Sequence, residues 1–278
     1  AMKRTSWREH GYHALLWLVA LIFFAPILWI MLCSFKTGDQ ILAVPPKFIF
    51  MPTLANYARL FTSAAFPREL FNSVVLSVAA VLIAVAVSFL AAFSFSRFKP
   101  PGTNFLMFLL LSIRMLPGSA AILPVYLMYV AFGWKDTYWG MILFYAMFSI
   151  PFSVWILKGF IDGVSPRFDE TGIINGASWL RIITRTILPQ VMPGVIAALI
   201  FNFIFVWNEF LFNYIIGGIS TSNIPVALAT GLYSNGGVDW TFISALTTVY
   251  IVPPILVVYF FQRYLLVGMT FGTVRGEV

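Results

Sequence analysis

A single cysteine, Cys33, is the only thiol in this 278-residue chain, and its two histidines, His10 and His13, sit together near the N-terminus. An internal disulfide is excluded, and no Cys/His metal cluster can be assembled. Charge is equally scarce: Asp, Glu, Lys and Arg make up 10% of residues, too few to clothe a soluble domain. Few acidic residues fall within apolar stretches, which leaves little for proton or sodium coupling. Clustered His, Asp or Ser groups that a hydrolase would need are absent. There is also no G-x-x-x-x-G-K-[ST] run: Gly236-Gly237 is followed by Val238 and Asp239, without the lysine a phosphate cradle requires. ATP hydrolysis by this chain is therefore not expected.

Apolar residues, in contrast, make up 60% of the chain and the mean hydropathy is +0.91, the balance of an integral membrane protein. A hydrocarbon core of roughly 30 Å takes about 20 apolar helical residues to cross. Six stretches qualify: Ala14 to Cys33, Phe71 to Ser96, Asn104 to Phe132, Tyr138 to Leu157, Ile187 to Ile216 and Thr241 to Phe261. They lack the alternation of barrel strands, so an all-α membrane fold is predicted. The first is too long for a comfortable signal peptide and has no small-residue cleavage site, so it reads as an uncleaved anchor. Ala1 ahead of Met2 reads as a residue added before the natural start.

Orientation follows from Lys and Arg. With the N-terminus inside, Lys3, Arg4, Arg8, Arg97, Lys99, Lys158, Arg167, Arg181, Arg185, Arg263 and Arg275 fall on inner segments, against Lys36, Lys47, Arg59, Arg68 and Lys135 outside. Both termini are expected in the cytoplasm. The net charge of +7 is then a membrane signature, and no nucleic-acid partner is expected.

The outer loop 35–70 holds Pro45-Pro46, Pro52 and Pro67 among aromatics and reads as a folded segment. The largest inner loop, 158–186, carries a polar, glycine-punctuated run from Glu170 to Ser178. Ser165 can cap a helix whose first residue is Pro166, with Asp169 and Glu170 near its positive end. Gly176 can take the left-handed conformation that ends this helix, and Ser178 can cap a second one carrying Trp179, Arg181 and Ile183. Alternatively the helix runs on through Gly176, which places Ile173, Ala177 and Leu180 roughly on one face. Composition leaves two roles open: an amphipathic loop lying on the membrane with Trp179 as an anchor, or a docking site for a soluble partner.

Two charges lie inside spans. Arg114 is roughly 15 Å into the third at about 1.5 Å per residue, and Glu209 lies further outward in the fifth. They either form a structural ion pair, or leave Glu209 at the outer interface, or line a pathway with Asn208 and offer hydrogen bonds to a polar solute. Pro117-Gly118, beyond Arg114, fits a helix broken where it borders a cavity. Trp207 adjoins Asn208 and could stack on a solute ring, though bundle packing is the plainer role. Ala79, Ala80, Ala84 and Ala86 read as helix-packing contacts.

In the inner loop, a glutamate, a glycine six residues on, and nine residues before a four-residue block ending Leu-Pro resemble the EAA loop of ABC importer permeases: Glu170, Gly176 and Leu188-Pro189. Thr171 and Gly172 stand where two alanines are usual, Asn175 for an aspartate and Thr186 for an isoleucine. Ser34-Phe35-Lys36, Pro45-Pro46, Asn56-Tyr57, Asn72-Ser73, Pro117, Pro124-Val125-Tyr126, Trp207-Asn208-Glu209, Gly268-Met269-Thr270 and Val274-Arg275-Gly276 resemble, in order, the MalG branch of carbohydrate permeases.

The resemblance implies a type I ABC importer permease of six spans, with a cytoplasmic segment 1–13, a transmembrane domain 14–265 and a cytoplasmic tail 266–278. Its partners would be a second homologous permease subunit, two cytoplasmic ATPases holding ATP and Mg, and a periplasmic solute-binding protein that delivers sugar, all at a bacterial inner membrane. Glu170, Asn175, Gly176, Ala177, Leu180 and Arg181 would couple to the ATPase, and Gly268, Thr270 and Arg275 of the tail would reach it. Arg114, Pro117, Trp207, Asn208 and Glu209 are the pathway candidates. Gly176 is expected where a close helix–helix turn leaves no room for a β-carbon, while the positions of the two alanines should be replaceable. An ion-gradient-driven secondary transporter or channel would also use an intramembrane Arg/Glu pair and broken helices, but no internal repeat is evident.

Overall fold

The structure, a computed structural model, describes residues 7–231 and 237–270, without the side chains of 7–10 and 266–270. Its helices are α1 (Trp7–Cys33), α2 (Gly38–Ile41), α3 (Ala55–Thr62), α4 (Phe66–Arg97), α5 (Thr103–Met115), α6 (Gly118–Phe132), α7 (Tyr138–Asp162), α8 (Arg167–Ile174), α9 (Trp179–Ile182), α10 (Leu188–Trp207), α11 (Leu211–Ile216), α12 (Ile224–Gly231) and α13 (Trp240–Thr270). Among the described residues five helical runs are long and apolar enough to cross a bilayer, and α5 with α6, bent by 96°, counts as a sixth when the pair is taken as one broken span. The last helix continues past Phe261 to Thr270.

The chain folds as two compact units, Ala1–Pro67 with Ala227–Val252, and Arg68–Val226 with Pro253–Val278. In the first, no residue of α1 from Gly11 to Leu32 is buried, as suits a helix apolar on all sides and solvated by lipid. The proline-rich segment after it is folded, as expected, and side-chain clamps hold it. Asn56 Nδ2 donates to the carbonyls of Ser34 and Lys36, both at 2.8 Å, while the hydroxyls of Ser34 and Tyr57 lie 2.6 Å apart. Lys36 is buried with its ammonium 4.3 Å from the Trp29 ring centroid. Arg59 pairs with Asp239 at 2.5 Å.

In the second unit, α4 presents Leu76, Ala80, Ala84, Ser88 and Ala92 to the core, each four residues from the last and therefore on one helical stripe. Ala80 and Ala84 are packing residues as read from the sequence; Ala79 is only half-buried and Ala86 is exposed. Asn72 at the head of this stripe donates to the carbonyls of Ser220 (2.9 Å) and Ser222 (2.8 Å), and Ser73 Oγ accepts the Ile224 N–H. The motif residues Ser34, Lys36, Asn56, Tyr57, Asn72 and Ser73 are thus structural clasps.

Two apolar stretches that read as single spans are broken. The third bends at Leu116 and Pro117, both extended; proline has no N–H for the helical ladder and disfavours helical geometry in the residue before it. The fifth starts earlier than Ile187 and stops at Trp207, with α11 as a separate helix. At its near end, Ile183–Ile187 form a π-helical turn immediately before Leu188-Pro189. Pro189 lies in the first turn of α10, where its missing N–H is tolerated, and the wider turn ahead of it re-registers the backbone.

Candidate functional site

The polar run of the 158–186 loop folds as a helix–turn–helix. The helix α8 begins at Arg167 with Pro166, not Ser165, at its cap position and no side-chain cap bond, although Ser165 Oγ just ahead of it accepts the Arg167 N–H at 3.4 Å. Asp169 and Glu170 occupy the first turn, near the positive end of the helix dipole. Asn175 Nδ2 donates to the Thr171 carbonyl at 2.8 Å, and Gly176 then takes φ +74°, which ends the helix. The N–H groups of Gly176 and Ala177 close the turn on Ile173 (2.9 Å) and Gly172 (3.0 Å). Ser178 Oγ accepts the Arg181 N–H and opens α9. A helix running on through Gly176 is therefore excluded.

The reason for glycine at 176 needs correction. A β-carbon there would meet nothing within 4 Å, so the left-handed backbone, and not crowding, calls for glycine. The close approach is at Gly172, where a β-carbon would sit 2.9 Å from Ile182 Cγ1. Of the two usual alanine positions, only Thr171 is exposed. Along the hairpin, Glu170, Asn175, Gly176, Leu180 and Arg181 are exposed and Ala177 is half-buried. Ile174 and Leu180 are 85% and 70% exposed, the most exposed of the large apolar side chains on the insert. Trp179 packs edge-on against Phe98 and Phe93, so its ring is tied to the end of α4.

One contact here had no sequence signal. Arg97, the last residue of α4, pairs with Asp169 at 2.5 Å, and both side chains are less than a tenth exposed. They are 72 positions apart, and nothing in local spacing links them.

The intramembrane charges do not pair. Arg114 lies in the last turn of α5, where a cation is favoured by the helix dipole. Its Nη1 donates to the Phe148 carbonyl at 3.1 Å, and its guanidinium lies 4.0 Å from the Phe205 ring centroid and 4.8 Å from that of Phe148. Glu209 serves instead as the clasp of the break between α10 and α11. Its carboxylate accepts the N–H of Phe212 (2.8 Å) and of Asn213 (3.1 Å) and the Tyr145 hydroxyl (2.9 Å), while Asn223 Nδ2 donates to its carbonyl (2.8 Å). A buried backbone opened at such a break leaves donors without partners, and the carboxylate supplies them. Trp207 is 1% exposed and packs on Phe203. Asn208 and Pro117 are exposed, and Asn208 donates to the Ile204 carbonyl. Arg275 lies outside the described residues, as do the side chains of Gly268 and Thr270, whose backbone belongs to α13.

Apolar helical runs long enough to cross a bilayer, two of them broken, and an exposed helix–turn–helix fit a membrane transport protein. The chain belongs to the family of binding-protein-dependent transport system inner membrane components, which matches residues 84–270. It is 34% identical to a probable ABC transporter permease protein, y4oR, of Sinorhizobium fredii, over 94% of each chain. It is 28% identical to the trehalose/maltose transport system permease protein MalG of Thermococcus litoralis, again over 94% of each. Its fold matches a bacterial ABC transporter involved in import of the acidic polysaccharide alginate with a TM-score of 0.76 at 19% identity, covering 94% of this chain and 98% of that one.

Proposed function

We propose that this chain is one permease subunit of an ATP-driven importer for a sugar or sugar derivative, forming half of the translocation pathway. It pairs with a second, homologous permease, receives substrate from a periplasmic binding protein, and docks two ATPase subunits on the cytoplasmic face, which carry ATP and Mg. The observation that carries this reading is the exposed hairpin α8–Gly176–α9. It presents Ile174 and Leu180 beside the charges of Glu170 and Arg181, at the spacing from Leu188-Pro189 typical of an EAA loop. An isolated loop gains nothing by exposing two large apolar side chains to water, whereas a partner cleft would bury them.

ATP shifts the access equilibrium only by its differential affinity for the open and closed ATPase arrangements, so the hairpin has to transmit displacement without yielding. The Ser178 cap, a glycine turn and the Gly172–Ile182 approach make it short and stiff. On the pathway side, Arg114 and Asn208 are the groups left to meet substrate, since Glu209 and Trp207 are committed to the bundle.

Gly176→Asp tests the reading. The substitution places a charged side chain in the docking face, and uptake by the assembled importer is expected to vanish while membrane insertion stays normal. Normal uptake by this variant would sink the assignment.

A further inference from the structure

The coupling hairpin is anchored to the membrane-spanning part by more than its chain connections. Arg97 Nε lies 2.5 Å from Asp169 Oδ2, its Nη2 donates to the Val164 carbonyl at 2.8 Å, and its Nη1 donates to Ser96 Oγ at 3.3 Å. Ser96 Oγ in turn donates to Asp162 Oδ1 at 2.6 Å, and Asp162 Oδ2 takes the Lys158 ammonium at 2.7 Å. One guanidinium therefore joins the end of α4, the link after α7 and the first turn of α8. A rigid planar fork with five donors suits this three-way junction, where a lysine could not hold the same geometry. The Asp169 carboxylate accepts no aligned hydrogen bond among the described residues, so Arg97 is its one compensating charge there. A buried carboxylate that loses its only countercharge is strongly unfavourable, so α8 cannot part from α4 without breaking this pair.

We infer that Arg97 and Asp169 are positioning residues for energy coupling: the buried pair makes the hairpin move as one body with the ends of α4 and α7. The inference rests on the importer reading above. Trp179 supplements it by packing α9 on Phe93 and Phe98, so that both short helices are fixed to the same helix end, one ionically and one by aromatic contact. A force on the hairpin then reaches α4 and α7 directly and does not have to travel through the π-helical turn at Ile183–Ile187 into α10.

The test uses the assembled importer, with its ATPases and binding protein, reconstituted in lipid. Asp169→Asn, nearly isosteric, and Arg97→Gln each remove one charge. Two readouts are taken: ATP hydrolysed per substrate imported, and hydrogen exchange of the α8 backbone. Each variant is expected to assemble, to raise the ATP-to-substrate ratio about tenfold or more, and to speed α8 exchange by a similar factor, with partial rescue by Arg97→Lys and Asp169→Glu. A ratio and exchange within about twofold of the parent would overturn the inference. So would failure of both variants to assemble, which makes the pair a folding staple only. If the parent itself shows no ATP-driven uptake, the importer reading fails. In that event unchanged α8 exchange in the variants would overturn the anchor as well, and faster exchange would support it.

Discussion

Two polar islands interrupt this apolar chain, and they treat their polar groups in opposite ways. At the break between α10 and α11, the Glu209 carboxylate, the Tyr145 hydroxyl, the Asn213 and Asn223 amides and the freed backbone groups satisfy one another. In the α8–α9 hairpin Asp169 is held by Arg97 of α4, while Glu170 and Arg181 face outward beside Ile174 and Leu180. An island that closes on itself is architecture; one that leaves charges and large apolar groups unspent is what the proposed docking role requires. Substitutions should accordingly separate stability from transport.

The largest stability effect is expected at the closed island. Glu209→Ala removes the acceptor of three donors, and about 3 kcal/mol or more of stability should be lost. In thermal unfolding of the detergent-solubilised chain the variant should melt well below the parent. Glu170→Ala in the hairpin should change stability by less than about 0.5 kcal/mol and lower uptake instead. Equal stability losses at the two positions would erase the distinction.

Gly172→Ala comes next, because its new β-carbon would lie 2.9 Å from Ile182 Cγ1, in a side chain that is itself buried. Overpacking of this kind costs about 1–3 kcal/mol, visible as a lower unfolding temperature, and would loosen α8 from α9. Thr171→Ala, on the exposed side of the same helix, should be neutral in the same measurement.

A pH-dependent effect is expected at Asp136, which joins the loop before α7 to the segment after α11. Its burial would raise the carboxyl pKa, but the N–H groups of Ser220 (3.2 Å) and Thr221 (2.9 Å) and the Thr221 hydroxyl (2.9 Å) outweigh that and hold it below the ordinary carboxylate value. A folded-state pKa below the unfolded one contributes stability that is complete above the unfolded pKa and is lost as pH falls through the folded one. The parent should therefore unfold at a higher temperature than Asp136→Asn near pH 7, with the gap closing as the pH is lowered into and below the carboxylate range. A gap independent of pH would assign the effect to packing.

The spans and the hairpin were legible in the sequence because their signals are local: long apolar runs, the serine that caps α9 and a glycine just past the end of α8. The break at Pro117 was legible for the same reason, since proline carries its effect in its own ring. The role of Glu209 was not, because its partners come from Tyr145, 64 positions away, and from a helix start that apolar composition hides inside a longer run. The Arg97–Asp169 pair and the Asp136 clasp fail for the same physical reason. Composition reports that a buried charge needs a partner, and only the fold says which partner it has.

Gly176 shows how the comparison can be sharpened at a single position. Space around it is open and its φ is +74°, so Gly176→Ala meets no clash inside this chain and costs only the left-handed backbone, about 1–2 kcal/mol. Asparagine visits that conformation more readily, so Gly176→Asn should recover part of the stability lost by the alanine variant. If the open space around Gly176 is filled by a partner in the assembled importer, the order reverses for uptake. The larger asparagine should then impair transport more than alanine does, although it folds better. Thermal unfolding of the isolated chain and uptake by the reconstituted importer, measured on both variants, give two rankings. Opposite rankings place a partner against Gly176, and matching rankings reduce the residue to a helix terminator.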